Sequence, residues 1–365
     1  MIDGHTGIGA RKQEIETPAL LIDLDLMETN IASMAKYFRG VKSRLRAHAK
    51  THKSPVIARK QIEAGALGIC CQTLGEAEVM ANGGVGDILI TNEVVDLEKI
   101  ERLVRLSRSC DLKVLVDNLG IAKATSEAAK RQGVKQPVMV EVDIRRKRCG
   151  LMPGRPTVDF VKQVLKLDGL HFRGLMGYEG PFFELSDFHE RTIAAHKLLH
   201  SLKETVDMVE SEGIGVQHVS AGSTGTYNIT GEYPKITEIE AGSYVFMDST
   251  YRRLEGLDFS CALTVLATVI SRPVPERIVV NAGLKSITQE LGMPAVKDAG
   301  AEVYHLAEEH GMIKVDPQAN INVGDKVELM PSHCCTTVNL HDQYYGIRDE
   351  KVEIVWPISA RGKSQ

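Results

Sequence analysis

The chain has 365 residues, 43% of them hydrophobic, and its 44 basic and 48 acidic side chains leave a formal charge of −4. This is an ordinary globular composition with enough apolar material for a barrel plus a smaller domain. The charge balance offers no basic field to nucleic acid or an anionic membrane surface, and no apolar run approaches a bilayer span, so a small molecule is the expected partner.

At the N-terminus, MIDGHTGIGARKQEIETPALL carries no long apolar run after its charges, and the sequence reads as cytosolic (cytoplasmic). Pro18–Asp25, PALLIDLD, is strand-like and is expected to lie against the C-terminal domain. Short apolar runs followed by helical patterns then recur: Leu45–Lys50, Gly68–Gln72, Asp87–Thr91, Lys113–Asp117, Pro137–Asp143, Phe172–Tyr178, His218–Gly222 and Glu238–Phe246. Runs such as DILIT and KVLVD suit buried parallel strands, while VDLEKIERLVRLSRS has helical periodicity. Eight strand–helix units predict an α/β fold, a (β/α)8 TIM-type barrel, and no glycine-rich dinucleotide turn points to an open sheet instead. From CALTVLATVIS onward, through ERIVVNAG, KVELMPSH and KVEIVWPIS, the pattern alternates as strands do and marks a second, C-terminal β-rich domain. The predicted division is a barrel over 26–255 and a β domain over 256–365, joined by an N-terminal strand within 1–25.

Polar residues gather where the eight runs end, on the face where such barrels build their sites. RAHAKTHK at Arg46–Lys53 could be a solvated basic loop, but the apolar Leu45 and Ala47 beside it favour a strand-end lysine suited to Schiff-base chemistry. Ser220–Gly225 and Ala241–Tyr244 are glycine-rich ends of the last two runs, where barrels commonly bind phosphate. A lysine on the first strand and a phosphate site on the last two are neighbours around a closed barrel, which describes pyridoxal 5'-phosphate.

Further on, His333 and Cys335 in PSHCC form an H-x-C pair that an extended segment would place on one face about 7 Å apart. Such residues can share a metal or simply pack as a histidine with a small apolar cysteine. The seven cysteines are odd in number and no secretory signal accompanies them, so disulfides are not predicted.

Ten strings, among them TPALLIDLD, RAHAKTHKSPVIA, GICCQTLGEAE, STGTY, EAGSYVFMD, PSHCCTTVNLHD and WPISARG, occur in the order found in one family. Over about residues 16–362 the chain resembles the D-threonine aldolase and D-serine dehydratase family of fold-type III (alanine-racemase-like) pyridoxal-phosphate enzymes. The resemblance implies that Lys50 is the Schiff-base lysine, and that Gly222, Ser223, Thr224, Gly225, Gly242, Ser243 and Tyr244 hold the phosphate; His52, close to Lys50 in the chain, is read as a second catalytic residue. It also places Arg148 near the cofactor's phenolic oxygen, and Gln72 and Tyr178 beside the cofactor. For the metal it implies His333 and Cys335, binding zinc as in the dehydratases. Many of the aldolases pair His with Asp and use a harder ion such as manganese or magnesium, and Cys335 departs from that pattern. Some aldolases also carry a base histidine at the position that aligns here with Glu184, with His189 read as part of the following helix.

The implied activity is a pyridoxal-phosphate- and divalent-metal-dependent aldolase of β-hydroxy D-amino acids, giving glycine and an aldehyde. A zinc-dependent D-serine or 3-hydroxy-D-aspartate dehydratase is the alternative; a racemase or a non-catalytic cofactor carrier would have no use for the metal pair. A homodimer is implied as well.

Overall fold

In the computed structural model, which describes residues 7–297 and 300–365, the chain forms two compact units. One comprises 34–50, 54–242 and 362–365; the other comprises 7–33, 51–53 and 243–361. The first six residues of the predicted N-terminal segment lie outside the described residues.

The first unit is a closed parallel barrel of β2 (Arg44–His48), β3 (Gly68–Cys71), β4 (Asp87–Glu93), β5 (Asp111–Val116), β6 (Gln136–Glu141), β7 (Leu170–Met176), β8 (His218–Ala221) and β9 (Glu238–Ile239). Each of the eight predicted runs overlaps a barrel strand. The helices start where the sequence supplies caps: Thr73, Asp96, Asn118 and Asp187 each accept a backbone N–H of the turn that follows. His189 lies within helix Phe188–Ser211, as expected. Cys70, Leu89, Leu115, Met139 and Met176 fill the barrel interior, with Tyr178 packed against them.

At the opposite, N-terminal end the barrel is closed by charge. Arg46 and Lys113 are fully buried; Arg46 bonds Glu238 at 3.0 Å and Asp87 at 2.5 Å, and Lys113 bonds Asp87 and Asp111 at 2.8 Å each. A Cβ on Gly68 would stand 2.6 Å from Arg46 Nη1, so only glycine leaves room for that guanidinium. Arg46, which opens the segment RAHAKTHK, is therefore an interior residue.

Several boundaries shift, and two of the shifts bear on the site. The eighth run, predicted as strand through Phe246, leaves the sheet after Ile239, and Ser243–Val245 is a 3-10 turn. The first run ends at His48, so Lys50 sits in the turn beyond the strand.

The second unit is a nine-stranded sheet. β1 (Ala19–Asp23) lies inside it, antiparallel to β10 (Leu263–Val274) and parallel to β16 (Gln343–Arg348), which pairs with β17 (Lys351–Pro357). PALLIDLD thus joins the sheet, but only Ala19–Asp23 is strand; a helix begins at Leu24, its first turn capped by the Asp23 carboxylate on Leu26 N–H. On the other side of β10 come β15 (Lys326–Met330), β12 (Ala295–Val296), β13 (Glu302–Leu306), β14 (Gly311–Lys314) and β11 (Arg277–Val280), and β11 also pairs with β10, closing these six strands on themselves. Sequence patterning missed β12 to β14, which are short and whose residues are largely half-buried or exposed.

Candidate active site

Lys50 is half-buried, one turn past β2, and its N–H lies 3.5 Å from His48 Nδ1. Around the same end of the barrel, Gln72 donates its side-chain amide to Thr91 O and its backbone N–H to Glu76. Tyr178 lies over the interior cluster with the Arg146 guanidinium 5.9 Å from its ring centre, and burial holds its phenol well above the usual range. Arg148 is 44% exposed and its Nη2 is 3.4 Å from Glu141 Oε1.

The turn after β8 is more built than its sequence suggested. Gly222 has φ +86°, and a Cβ there would meet Ile239 at 3.0 Å. Its N–H is not an open donor as expected, for it bonds the fully buried Glu179 at 3.0 Å, and Thr226 and Thr230 give their hydroxyls to the same carboxylate. Ser223 N–H bonds Thr226 Oγ1 and Gly225 N–H bonds Ser223 Oγ. Arg191, also fully buried, donates Nε–H to Gly225 O at 3.0 Å and so pins the turn from below. Ser223 and Thr224 are buried within it. Glu179 and Arg191 escaped sequence reading because nothing local marks an acid or an arginine as interior.

Two further missed acids lie nearby. Glu240 follows β9 and is buried; it accepts from Ser220 Oγ at 2.6 Å, and burial pushes its pKa up to about 7 against the pull of Ser220 and Lys50. Glu141 is 4% exposed, and burial together with Glu93 pushes it up to about 8. Glu184, at the place where some aldolases carry a histidine, is an exposed partner of Arg145 at 2.5 Å.

The second unit carries the metal candidates. His333 ends an extended stretch as the cap of a short helix, Cys334–Val338, so the H-x-C pair straddles a helix start and not a strand as predicted. One ligand atom from each of His333, Cys334 and Cys335 lies within 4.8 Å of the others, which brings in Cys334, a residue that the extended reading turned away. His333 Nδ1 is 2.8 Å from Oδ2 of the buried Asp248, and Cys334 Sγ is 3.7 Å from the same oxygen. Cys335 Sγ is 3.3 Å from Thr51 Oγ1. Burial opposes a charged imidazole, but the Cys335 sulfur and Asp248 push the His333 pKa up to about 11. The trio fits a soft divalent ion: it is partly buried, rich in sulfur, and has its histidine oriented by a carboxylate. His52 is fully buried in this unit, and its carbonyl accepts the Tyr344 hydroxyl at 2.7 Å. Tyr244 is buried there too, its ring 5.7 Å from Phe259.

Residues 22–250 match the model of the alanine racemase N-terminal domain, and 262–347 match that of the serine dehydratase domain. The chain belongs to the D-threonine aldolase and D-serine dehydratase family. Among its relatives, the 3-hydroxy-D-aspartate aldolase of Paracoccus denitrificans is 37% identical over 97% of this chain and 94% of its own length. The D-threonine aldolase of an Arthrobacter species is also 37% identical, over 96% of this chain and 94% of its own. The crystal structure of D-threonine aldolase from Filomicrobium marinum superposes with a TM-score of 0.96 at 35% identity, covering 99% of this chain and all of that one. Lys50 and the Gly222 turn fall inside the first family match, and His333–Cys335 inside the second. The family's fold-type III barrel implies pyridoxal phosphate as cofactor.

Proposed function

We propose that this protein is a pyridoxal-phosphate- and divalent-metal-dependent aldolase that cleaves β-hydroxy D-amino acids such as D-threonine to glycine and an aldehyde. The observation that carries the reading is the His333–Cys334–Cys335 trio with Asp248 on His333 Nδ1, because a racemase or a cofactor carrier on this fold would have no work for it. The family relationship supplies the substrate class.

The cofactor, when bound, withdraws electrons from a bond broken at the substrate's Cα. Lys50 would hold it, the hydroxyl-rich turn Gly222–Gly225 and the residues Gly242–Tyr244 that follow β9 would take its phosphate, and Gln72, Tyr178 and Arg148 would orient its ring. The buried state of Ser223 and Thr224 and the rigidity lent by Glu179 and Arg191 support this: a turn held from below keeps its hydroxyls fixed. His333 and Cys335, with Cys334 as a third donor, would hold a divalent ion that lowers the pKa of the substrate's β-hydroxyl. Lys50 is joined by one peptide bond to Thr51, which bonds Cys335. His52 would act through this segment, fixing its backbone.

Cysteine at position 335 specifically favours a second reading, a zinc-dependent dehydratase, in which Lys50 would remove the α-proton and the residues of the trio would hold the ion where it could aid departure of the hydroxyl. Incubating the loaded protein with D-threonine, D-serine and 3-hydroxy-D-aspartate decides between them. Glycine plus an aldehyde is the expected outcome; an oxo acid plus ammonia selects the dehydratase, and racemisation alone overturns both. We also propose a cytoplasmic homodimer. No helix among the described residues is long and apolar enough to cross a membrane.

A further inference from the structure

The barrel mouth contains two carboxyl groups that the proposed chemistry does not use. β4 is bulged between Ile90 and Glu93, so Glu93 comes to stand opposite Leu115 of β5, and Leu115 in turn is opposite Met139 of β6. Bulges of this kind re-aim a side chain beside a site. Glu141 ends β6 two residues after Met139. Glu93 lies close enough to Glu141 to push the pKa of that carboxyl up. Both carboxyl oxygens of Glu93 and Oε2 of Glu141 are shut away from solvent, and apart from the Cys149 thiol beside Glu93 no donor group among the described residues reaches them. Two ionised carboxylates are acceptors only and cannot satisfy one another; one proton between them turns one acid into a donor.

The surrounding groups are few. Arg148 reaches Glu141 Oε1 from the loop after β6, and the Cys149 thiol, held up at about 11 by burial and by Glu93, stays neutral. Asp117, after β5, accepts Gly150 N–H at 2.9 Å, and Asp143 accepts the N–H groups of Arg145 and Lys147. Arg148 is therefore the one cation in contact with the pair among the described residues. Its backbone is fixed independently: Gly150 adopts φ +97°, and Leu151 N–H returns to Glu141 O at 2.9 Å. Only the course of the guanidinium is left for the carboxyl pair to set.

We propose that Glu93 and Glu141 share a single proton and act as positioning residues for Arg148, presenting its guanidinium to an anionic ligand oxygen at the barrel mouth. Two negative charges would draw the guanidinium into a tight, two-point ion pair, and none would release it to solvent. One charge gives the arrangement seen, a single 3.4 Å contact with Arg148 still 44% exposed. The inference rests on the reading of Arg148 as a ligand of the cofactor.

Infrared difference spectra of the cofactor-free protein test the pair directly. A protonated-carboxyl band is expected at neutral pH that is lost above about pH 8, where the pair gives up its proton, and that is missing from Glu93→Gln. Glu179 and Glu240 contribute equally to both proteins and cancel. Equilibrium titration with pyridoxal phosphate gives the second readout. The wild type is expected to lose about tenfold in affinity on crossing that pH, the size of one charge-assisted hydrogen bond. Glu93→Gln, whose amide is a permanent donor and which leaves one charge on Glu141, should hold the low-pH affinity throughout. No band at neutral pH, or a Glu93→Gln profile that still follows the wild type, overturns the proposal. If the band is present but Arg148→Leu binds the cofactor like the wild type, it is the reading of Arg148 as a cofactor ligand that fails, and the positioning role with it.

Discussion

His333 Nδ1 and Asp248 Oδ2, 85 residues apart in the chain, lie 2.8 Å from each other. That bond commits one ring nitrogen to the carboxylate, so Nε2 is the nitrogen that would face the proposed ion, the usual way a histidine is aimed at a metal. Asp248 is itself fixed, since its other oxygen accepts the N–H groups of Thr250 at 3.2 Å and Tyr251 at 2.9 Å.

Asp248→Asn should therefore weaken metal binding by about 10- to 100-fold while leaving the fold standing. Competition against a chromogenic chelator reads the affinity, and thermal unfolding of the metal-free protein serves as the control. Unchanged affinity would show that the ion does not depend on His333.

Chelation should abolish cleavage of β-hydroxy D-amino acids yet leave the cofactor's absorbance and most of the thermal stability, because three clustered protein donors leave positions open, as a catalytic ion needs. Cys335→Asp should move the preference from zinc toward manganese or magnesium. Unfolding on chelation would instead make the ion structural.

Borohydride reduction of the loaded protein should fix a pyridoxyl group on Lys50, identified by peptide mapping. Modification of Lys53 with Lys50 untouched would remove the central assignment.

Gly222→Val combines a positive φ with a side chain directed at Ile239, 3.0 Å from the new Cβ. A loss of about 1–3 kcal/mol of stability is expected from the backbone strain alone, with weaker cofactor binding in addition. Equal cofactor affinity in the variant argues against the phosphate assignment.

The charged plug of the barrel predicts an acid limb of stability. Burial would raise the Glu238 pKa, but Arg46 and His218 hold it down at about 2, against an ordinary value of 4.5. Its contribution is present above 4.5 and is lost as pH falls toward 2. Glu238→Gln should flatten that limb in acid titrations followed by circular dichroism. Arg46→Met, which strands buried carboxylates, should cost about 3–5 kcal/mol at neutral pH.

Sequence alone determined the barrel, since eight apolar runs alternating with helical patterns have few other ways to bury both faces of a parallel sheet. It also singled out Lys50, the glycine turn and the H-x-C pair as candidates, because strand ends and short motifs keep chemistry close together in the chain. What it could not reach depends on residues distant in sequence. Asp248 on His333, Glu179 and Arg191 under the Gly222 turn, and Glu93 against Glu141 are contacts whose partners carry no local signature. The short helix that brings in Cys334 was hidden because Pro-Ser-His-Cys-Cys has no periodicity to separate a turn from a strand. Arg46 shows the same limit: nothing beside it in the chain marks a buried guanidinium, and only barrel closure sets Asp87 and Glu238 around it.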